Sequence, residues 1–273
     1  MLVSSVILIL REVLEAAILI TTLLALSRSS GFGSRWLWPG FGLGLIGIMI
    51  FSAQLDVITD ALDGTGQEVA NATLQSIIYM LVVAVIATVT LITPPQRVAI
   101  KQQHSIQSTH LNTVRSLMAL TVSTALIREG SEIYIYLAGF SGATELRTSV
   151  FTGSVIGAGI GVSLGVLLYT ALRAFQNKLG QTICLILLSL TAAGMLLQAA
   201  ILLEQADWLP AQAALWDTTY LIDEQSVTGE LLYAMFGYEA TPTALQFTLY
   251  CASLAVALSV RLLAARYRRS HAF

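Results

Sequence analysis

Two short stretches of the sequence place one arginine and two glutamates close together inside long apolar runs. They read R-E-V-L-E from Arg11 to Glu15 and R-E-G-S-E from Arg128 to Glu132. On an α-helix, at roughly 100° per residue, the arginine and both glutamates of each stretch share one narrow arc. A charge at the centre of a membrane helix costs about 2.5 to 3.5 kcal/mol on insertion scales, so these residues are candidates for function.

Two such motifs facing each other would bring four carboxylates together, which suits a hard cation such as Mg²⁺, Ca²⁺, Mn²⁺ or ferric iron. The candidate metal ligands are Glu12, Glu15, Glu129 and Glu132. Arg11 and Arg128 are the charge-compensating groups, and Arg11 with Glu15 forms an i,i+4 pair. A fixed lock between two helices is one alternative, but it would balance its charges instead of leaving two spare carboxylates. A proton relay through the glutamates is another.

The composition is that of an integral membrane protein. Of the 273 residues, 56% are apolar and only 11% are charged, whereas a globular chain carries roughly 25% charged residues. A net charge of −2 without a basic patch outside the C-terminal tail disfavours a partner that is a nucleic acid. Two cysteines, both in apolar runs, exclude a disulfide scaffold. The partner that remains is the lipid bilayer.

Seven stretches are long and apolar enough to span a bilayer, which takes about 20 residues. They are residues 2–27, 36–55, 74–92, 113–139, 150–172, 181–203 and 244–264. The first motif lies in predicted helix 1 and the second in predicted helix 4. The fold class is therefore an all-α integral membrane protein with seven transmembrane helices.

The basic residues predict the orientation. Two of the 14 Lys and Arg residues lie in the motifs, eleven fall on one side of the predicted membrane, and only Arg147 falls on the other. Because cytoplasmic loops are enriched in Lys and Arg, we expect the N-terminus outside and the C-terminus in the cytoplasm. The membrane is then the plasma membrane or the bacterial inner membrane.

An internal repeat relates the two motifs. The second follows the first at an offset of 117 residues, and the same offset relates Gly40, Gly42 and Gly44 to glycines at 157, 159 and 161. The repeat unit has three helices, and an odd number inverts the second copy, as in many transporters. The organisation is a single transmembrane domain that contains residues 1–92 and 113–203 as repeats, 204–243 as an acidic outer loop, and 244–273 as helix 7 with a basic tail. Gly153, Gly157, Gly161 and Gly165 in helix 5 form a flat stripe on which another helix can pack closely.

Acidic residues are concentrated on the predicted outer side, where they would attract cations. The candidates for this role are Asp56, Asp60, Asp63, Glu68, Asp217, Asp223 and Glu224. The first three share a face if predicted helix 2 continues to residue 63.

Two R-E-x-x-E motifs in helices 1 and 4 of a seven-helix membrane protein resemble the high-affinity iron permease family, whose members depend on an oxidase. The segment from Leu215 to Pro242 is similar to the loop before the last helix in prokaryotic members. The resemblance implies transport of iron as Fe³⁺ after oxidation by a separate extracytoplasmic oxidase, or delivery by a separate protein, with the motif glutamates as ligands and no permanent cofactor. Many bacterial members begin helix 3 with Glu-Gly, where this chain reads Asn71-Ala72. If that glutamate is a ligand in the family, this protein has either lost the ligand or replaced it with Glu68.

Three alternatives remain open at this point. A carrier of the same build could move Pb²⁺ or Mn²⁺, because carboxylates accept these ions too. A non-transporting iron sensor would use the same site without flux. An intramembrane metalloprotease normally needs histidine ligands for zinc, and no predicted helix contains one, so we expect the protein not to be an enzyme. The sequence leaves the oligomeric state open.

Overall fold

The structure is a computed structural model that describes residues 2–92, 107–140, 142, 144–175 and 177–270. Its described part is mostly helical and contains no strand, only an isolated antiparallel bridge between Ala214 and Thr243. The helices are α1 (Leu2–Ser29), α2 (Leu37–Ala53), α3 (Leu55–Asp60), α4 (Gly66–Ile92), α5 (Gln107–Gly139), α6 (Thr144–Ala174), α7 (Asn177–Gln205), α8 (Val227–Phe236) and α9 (Ala244–Ser270), with one 3₁₀ turn at Leu62–Gly64. The all-α class is confirmed.

Four helices are long and apolar enough to cross a membrane. These segments are Gly66–Ile92, Leu146–Ala174, Leu179–Gln205 and Ala244–Arg268. The other three predicted spans differ for physical reasons: α1 and α5 carry the charged motifs, and α2 has only 17 residues. At 1.5 Å per residue, α2 is roughly 26 Å long, a little short of the bilayer core of about 30 Å.

The observed helices depart from the predicted bounds in two places that matter. Helix α4 begins at Gly66, eight residues before the predicted start at 74, so Glu68 and Asn71 are helical. The predicted acidic loop 204–243 contains a helix, α8, that the sequence analysis did not anticipate. Both changes bring polar residues into the helical bundle.

The predicted shared face of three aspartates is wrong. Helix α3 ends at Asp60, Ala61 is extended, and Asp63 has a left-handed backbone with φ 58°. The helix therefore does not continue, and Asp63 is separated from Asp56 and Asp60.

The expectation that no helix contains a histidine is also wrong, because α5 begins at Gln107 and includes His110 in its first turn. This position precedes the second motif by 18 residues, or roughly 27 Å along the helix. Residues 93–106, which include His104, lie outside the described residues.

Helices of the two halves pair in a symmetric manner. The most extensive contacts join α1 to α6, α2 to α5 and α4 to α7. Exchanging α1, α2 and α4 for α5, α6 and α7 maps this set of pairs onto itself. The motif helices α1 and α5 run antiparallel, since Ser5 contacts Tyr136 at 2.7 Å and Glu15 contacts Arg128 at 2.9 Å.

The glycine stripe of α6 packs against α1, as predicted. A Cβ at Gly153 would lie 2.6 Å from the Leu2 carbonyl oxygen, and one at Gly157 would lie 2.5 Å from that of Val6. In the other half, a Cβ at Gly40 of α2 would lie 3.0 Å from the Ala119 carbonyl oxygen of α5. Each motif helix is therefore held close by a glycine-bearing helix from the other half.

An apolar core fills the bundle on one side of the motifs. It comes from α1 after Glu15, from α4 after Gln75 and from α5 before Arg128, and it includes Leu19, Leu23, Leu26, Ile78, Val82, Val85, Val89, Val114, Met118 and Val122. The antiparallel course of α1 and α5 puts these segments at the same level. The motifs consequently lie at the boundary of a tightly closed apolar region.

Candidate functional site

Arg128 lies at the centre of the candidate site and contacts all four predicted metal ligands. Its Nη1 atom is 3.5 Å from Glu12 and 2.9 Å from Glu15, and it also donates a short hydrogen bond to Glu129. Its Nη2 atom is 3.1 Å from Glu132. The four carboxylates converge, as the sequence predicted, and they surround the guanidinium of Arg128.

These groups are withdrawn from solvent. Relative exposure is 4% for Glu12, 0% for Glu15, 4% for Arg128 and 2% for Glu129, while the Glu132 side chain is 23% exposed. Burying an unpaired charge costs several kcal/mol. The arginine therefore makes the buried carboxylates tolerable when no metal ion is bound.

Arg11 has a different environment from Arg128. Its side chain is 32% exposed, and its Nε atom lies 3.3 Å from Glu15 and 3.6 Å from Glu230 of α8. Its guanidinium also sits 4.1 Å from the ring centroid of Tyr233. The predicted i,i+4 pair with Glu15 is present, but Arg11 also forms an ion pair with Glu230, a carboxylate outside both motifs.

Helix α8 carries Glu230 and Tyr233, and specific contacts define both of its ends. Ser226 caps its N-terminus by accepting a hydrogen bond from the Gly229 amide at 3.0 Å. Gly237 ends it in the left-handed conformation, with φ 67°. A Cβ there would lie 2.6 Å from the Cα of Gly194 on α7, so glycine allows both the turn and the close approach. Burial raises the pKa of Glu230, against the lowering effect of Arg11.

The last glutamate of each motif accepts a hydrogen bond from an amide side chain in the other half of the chain, on α4 for Glu132 and on α7 for Glu15. Asn71 Nδ2 on α4 donates to Glu132 at 3.1 Å, and Gln198 Nε2 on α7 donates to Glu15 at 3.2 Å. Gln75, one turn after Asn71, donates to Gln198 at 2.5 Å. Asn71 therefore contacts the site directly, whereas no ion pair of the described residues involves Glu68.

A cavity of about 520 Å³ leads to the motifs from the N-terminal end of α1. Two motif glutamates, Glu12 and Glu132, line it together with both arginines, and its other polar lining residues include Gln75, Gln198, Glu230 and Tyr233. Glu15 and Glu129 lie behind Arg128 and outside this lining. The carboxylates thus form an accessible pair and a deeper pair.

The residues predicted to attract cations lie elsewhere, and their role stays a prediction. Asp56, Asp60 and Asp63 are exposed on and after α3. Asp217 and Asp223 accept hydrogen bonds from the amides of residues 219 and 225, and Glu224 accepts one from Ala240. The bonds from Thr219 lower the pKa of Asp217. None of these carboxylates lines the cavity.

The arrangement is not that of a preformed metal centre. Within the described ranges, no group of three or more His, Cys, Asp or Glu side chains has a geometry that could hold a metal ion. The carboxylates are instead arranged around Arg128. A cation that used them as ligands would have to displace the guanidinium.

Buried charges at the end of a cavity, inside a bundle with several apolar helices of membrane-spanning length, are typical of membrane transporters. A model of the Iron permease FTR1 family matches residues 2–270, nearly the whole chain. The chain belongs to the Iron permease FTR1 family, and it is a multi-pass membrane protein of iron transport. Comparisons with curated proteins and with solved structures found no match.

Sequence reasoning missed Gln75, Gln198, Glu230 and Tyr233 as site residues. Gln75 and Gln198 had a detectable signal, because each is a polar residue inside a mostly apolar predicted span, Gln75 at the start of 74–92 and Gln198 in the second half of 181–203. Glu230 and Tyr233 had none, since their place depends on how the outer loop folds back onto α1.

Proposed function

We propose that the protein imports iron across the cell membrane and that Glu12, Glu15, Glu129 and Glu132 bind the ion in transit. The observation that carries the proposal is the set of four carboxylates around the buried guanidinium of Arg128. Carboxylate oxygens are suitable ligands for iron and other hard cations. In this mechanism the metal replaces the guanidinium, and Arg128 returns when the metal leaves.

The side on which the cavity lies supports import as the direction of transport. The cavity is lined by the first three turns of α1, the last turns of α7 and helix α8. With the N-terminus outside, as the distribution of basic residues predicts, these segments lie on the outer side and the apolar core lies on the cytoplasmic side. The structure then corresponds to a state open to the outside and closed to the inside.

Alternation between outward and inward states fits an inverted repeat. We propose that α1, α2 and α5 span the membrane together with the four apolar helices, to give seven spans. The antiparallel course of α1 and α5 and the symmetric pairing of the helices support two inverted three-helix repeats around the motifs. The glycine contacts between the repeats would then form the surfaces that move.

The membrane potential is sufficient as a driving force. Moving one elementary charge across 100 mV is worth about 2.3 kcal/mol, so a trivalent ion moving inward gains roughly 7 kcal/mol. We propose Fe³⁺ as the transported form, produced or delivered by a separate extracytoplasmic protein.

The direct test is uptake of radioactive iron into proteoliposomes that contain only this protein, with Fe²⁺ and Fe³⁺ supplied in separate experiments. We expect accumulation of Fe³⁺ that increases with an inside-negative potential. If Mn²⁺ or Pb²⁺ abolishes iron uptake at a concentration equal to that of iron, the site prefers that ion, which favours a carrier for another cation. Saturable binding without uptake would instead make the protein a sensor.

Orientation is tested with cysteines placed at exposed positions in a Cys251→Ser background, since Cys251 is exposed and Cys184 is buried. In intact cells, Thr219→Cys should react with an impermeant thiol reagent and Ser29→Cys should not. The reverse pattern would invert the proposed topology without affecting the site.

A further inference from the structure

The amide oxygen of Gln75 has no hydrogen-bond partner among the described residues, although the side chain is fully buried. Gln75 also lines the cavity that reaches the motif glutamates. A buried acceptor without a partner lowers stability, so it calls for a physical explanation.

The charge of Glu15 determines which atom Gln75 leaves free. Glu15 pairs with Arg11 and Arg128, so its carboxylate accepts hydrogen bonds, and Gln198 must turn its Nε2 atom towards it, at 3.2 Å. The Gln198 oxygen then faces the Nε2 atom of Gln75 at 2.5 Å. The chain of donors ends at Gln75, whose oxygen remains available.

Asn71 repeats this arrangement one turn earlier on α4. Its Nδ2 atom donates to Glu132 at 3.1 Å, and its Oδ1 atom is buried without a partner among the described residues. A carboxylate again fixes the orientation of the amide. Residues four apart lie on the same face of a helix, so α4 carries two available carbonyl oxygens beside the motifs.

We propose that the side-chain oxygens of Gln75 and Asn71 are neutral ligands for the transported cation. This inference rests on the proposed function of the motif glutamates as ligands. Hard cations take six or more oxygen ligands, and carbonyl oxygens are common among them. The four carboxylates supply the negative charge, while α4 supplies coordination without adding charge, which keeps release of the ion possible.

The test compares Gln75→Met with Gln75→Glu, using calorimetry of the detergent-solubilised protein. The probes are Fe²⁺ under anaerobic conditions and Fe³⁺ as its nitrilotriacetate chelate. Methionine keeps the length of the side chain but lacks the oxygen, and we expect it to weaken binding by about tenfold or more. Glutamate retains an oxygen ligand, and we expect it to bind at least as tightly as the unmodified protein. Thr73→Val is the control, because Thr73 is exposed on α4 and bonds only to its own helix at Val69.

A role limited to positioning gives a different result, because glutamate cannot donate to Gln198. Equal weakening by methionine and glutamate would therefore overturn the ligand role, and so would unchanged binding in Gln75→Met. If either variant fails to reach the membrane, Asn71→Leu and Asn71→Asp repeat the comparison.

Glu15→Gln separates this inference from the proposed function. Lost binding in Glu15→Gln with normal binding in Gln75→Met refutes only the role of α4. Normal binding in Glu15→Gln refutes the carboxylate site itself.

Discussion

The two R-E-x-x-E motifs have the same sequence pattern but different surroundings. Arg128 of the second motif is 4% exposed and contacts four glutamates, two from each motif. Arg11 of the first motif has a side chain that is 32% exposed, and it contacts one motif glutamate and Glu230. Arg128 occupies the centre of the site, and Arg11 lies at its edge.

The difference arises from a helix that has no counterpart in the repeat. Helix α8 contacts α1 and α7 and presents Glu230 and Tyr233 to Arg11. No equivalent helix covers the second motif in the described part of the chain. A symmetric pair of motifs therefore becomes an asymmetric site, in which only Arg128 stands where we propose that iron binds.

The largest expected difference is between Arg128→Gln and Arg11→Gln. Loss of Arg128 leaves four buried carboxylates without their shared partner, and breaking a buried pair typically costs about 3–5 kcal/mol unless protons bind. Loss of the partly exposed Arg11 should cost about 1 kcal/mol or less. Thermal unfolding in detergent measures both.

Transport should follow the same order. We expect Arg128→Gln to lose uptake while it retains or strengthens iron binding, because four carboxylates then hold the ion or take up protons. Arg11→Gln should keep partial uptake. Arg35→Gln, at an exposed position between α1 and α2, is the control, and equal effects of the two motif arginines would refute the asymmetry.

The sequence was sufficient for the elements of this comparison but not for the asymmetry. The motif spacing predicted that Glu12, Glu15, Glu129 and Glu132 would meet, because both arcs must avoid lipid. It also predicted the i,i+4 pair of Arg11 and Glu15. Which arginine lies inside depends on contacts between distant segments, and no local pattern encodes those.

The acidic loop shows the same limit. Its acidic composition predicted a loop that attracts cations, yet the segment from Ser226 to Gly237 forms a capped helix that packs on α7 through Gly194 and Gly237. The start of α4 was misplaced for a related reason. Residues 66–73 are too polar to be read as a span, although Asn71 is buried against Glu132.

A smaller effect is expected from Glu230→Gln, which removes the second partner of Arg11. Arg11 would then pair only with Glu15 and compete more strongly with the metal. Since a partly exposed ion pair is worth about 1 kcal/mol, we expect the iron concentration for half-maximal uptake to rise about fivefold. The maximal rate should change little.

Asp217→Asn is the matched control, because Asp217 is an exposed acid of the same loop outside the cavity. If both variants raise this concentration equally, the loop acts through its overall charge rather than through Arg11.

The glycines test whether the two motif helices are held in equivalent ways. Gly157→Ala and Gly40→Ala place a methyl group against the backbone of α1 and α5, respectively, and we expect each to cost about 1–3 kcal/mol. Gly159→Ala and Gly42→Ala are the controls, because a Cβ at either position meets nothing within 4 Å. Thermal unfolding of the four variants measures the costs, and a penalty in only one half would argue against equivalent repeats.

A pH-dependent effect is expected from Glu239, whose pKa is influenced by the partly exposed Arg11. Burial, with the charges of Glu224 and Glu204, raises its pKa to about 7, although Arg11 lowers it. The folded protein therefore binds a proton that the unfolded chain releases, and stability should decrease as pH rises from the ordinary glutamate pKa to about 7. Glu239→Gln should remove this slope from the melting temperature between pH 5 and 7, and an unchanged slope would assign it to other groups.

The central claim, that both motifs contribute carboxylates to one iron site, is tested most directly by iron uptake into proteoliposomes containing the double variant Glu12→Gln with Glu129→Gln. This variant removes one ligand from each motif and leaves the Arg128 contacts with Glu15 and Glu132. We expect uptake to be nearly abolished at an unchanged amount of folded protein, while Asp56→Asn with Asp60→Asn, which changes two acids outside the cavity, keeps most of it. Normal uptake by the Glu12 and Glu129 double variant would contradict the account.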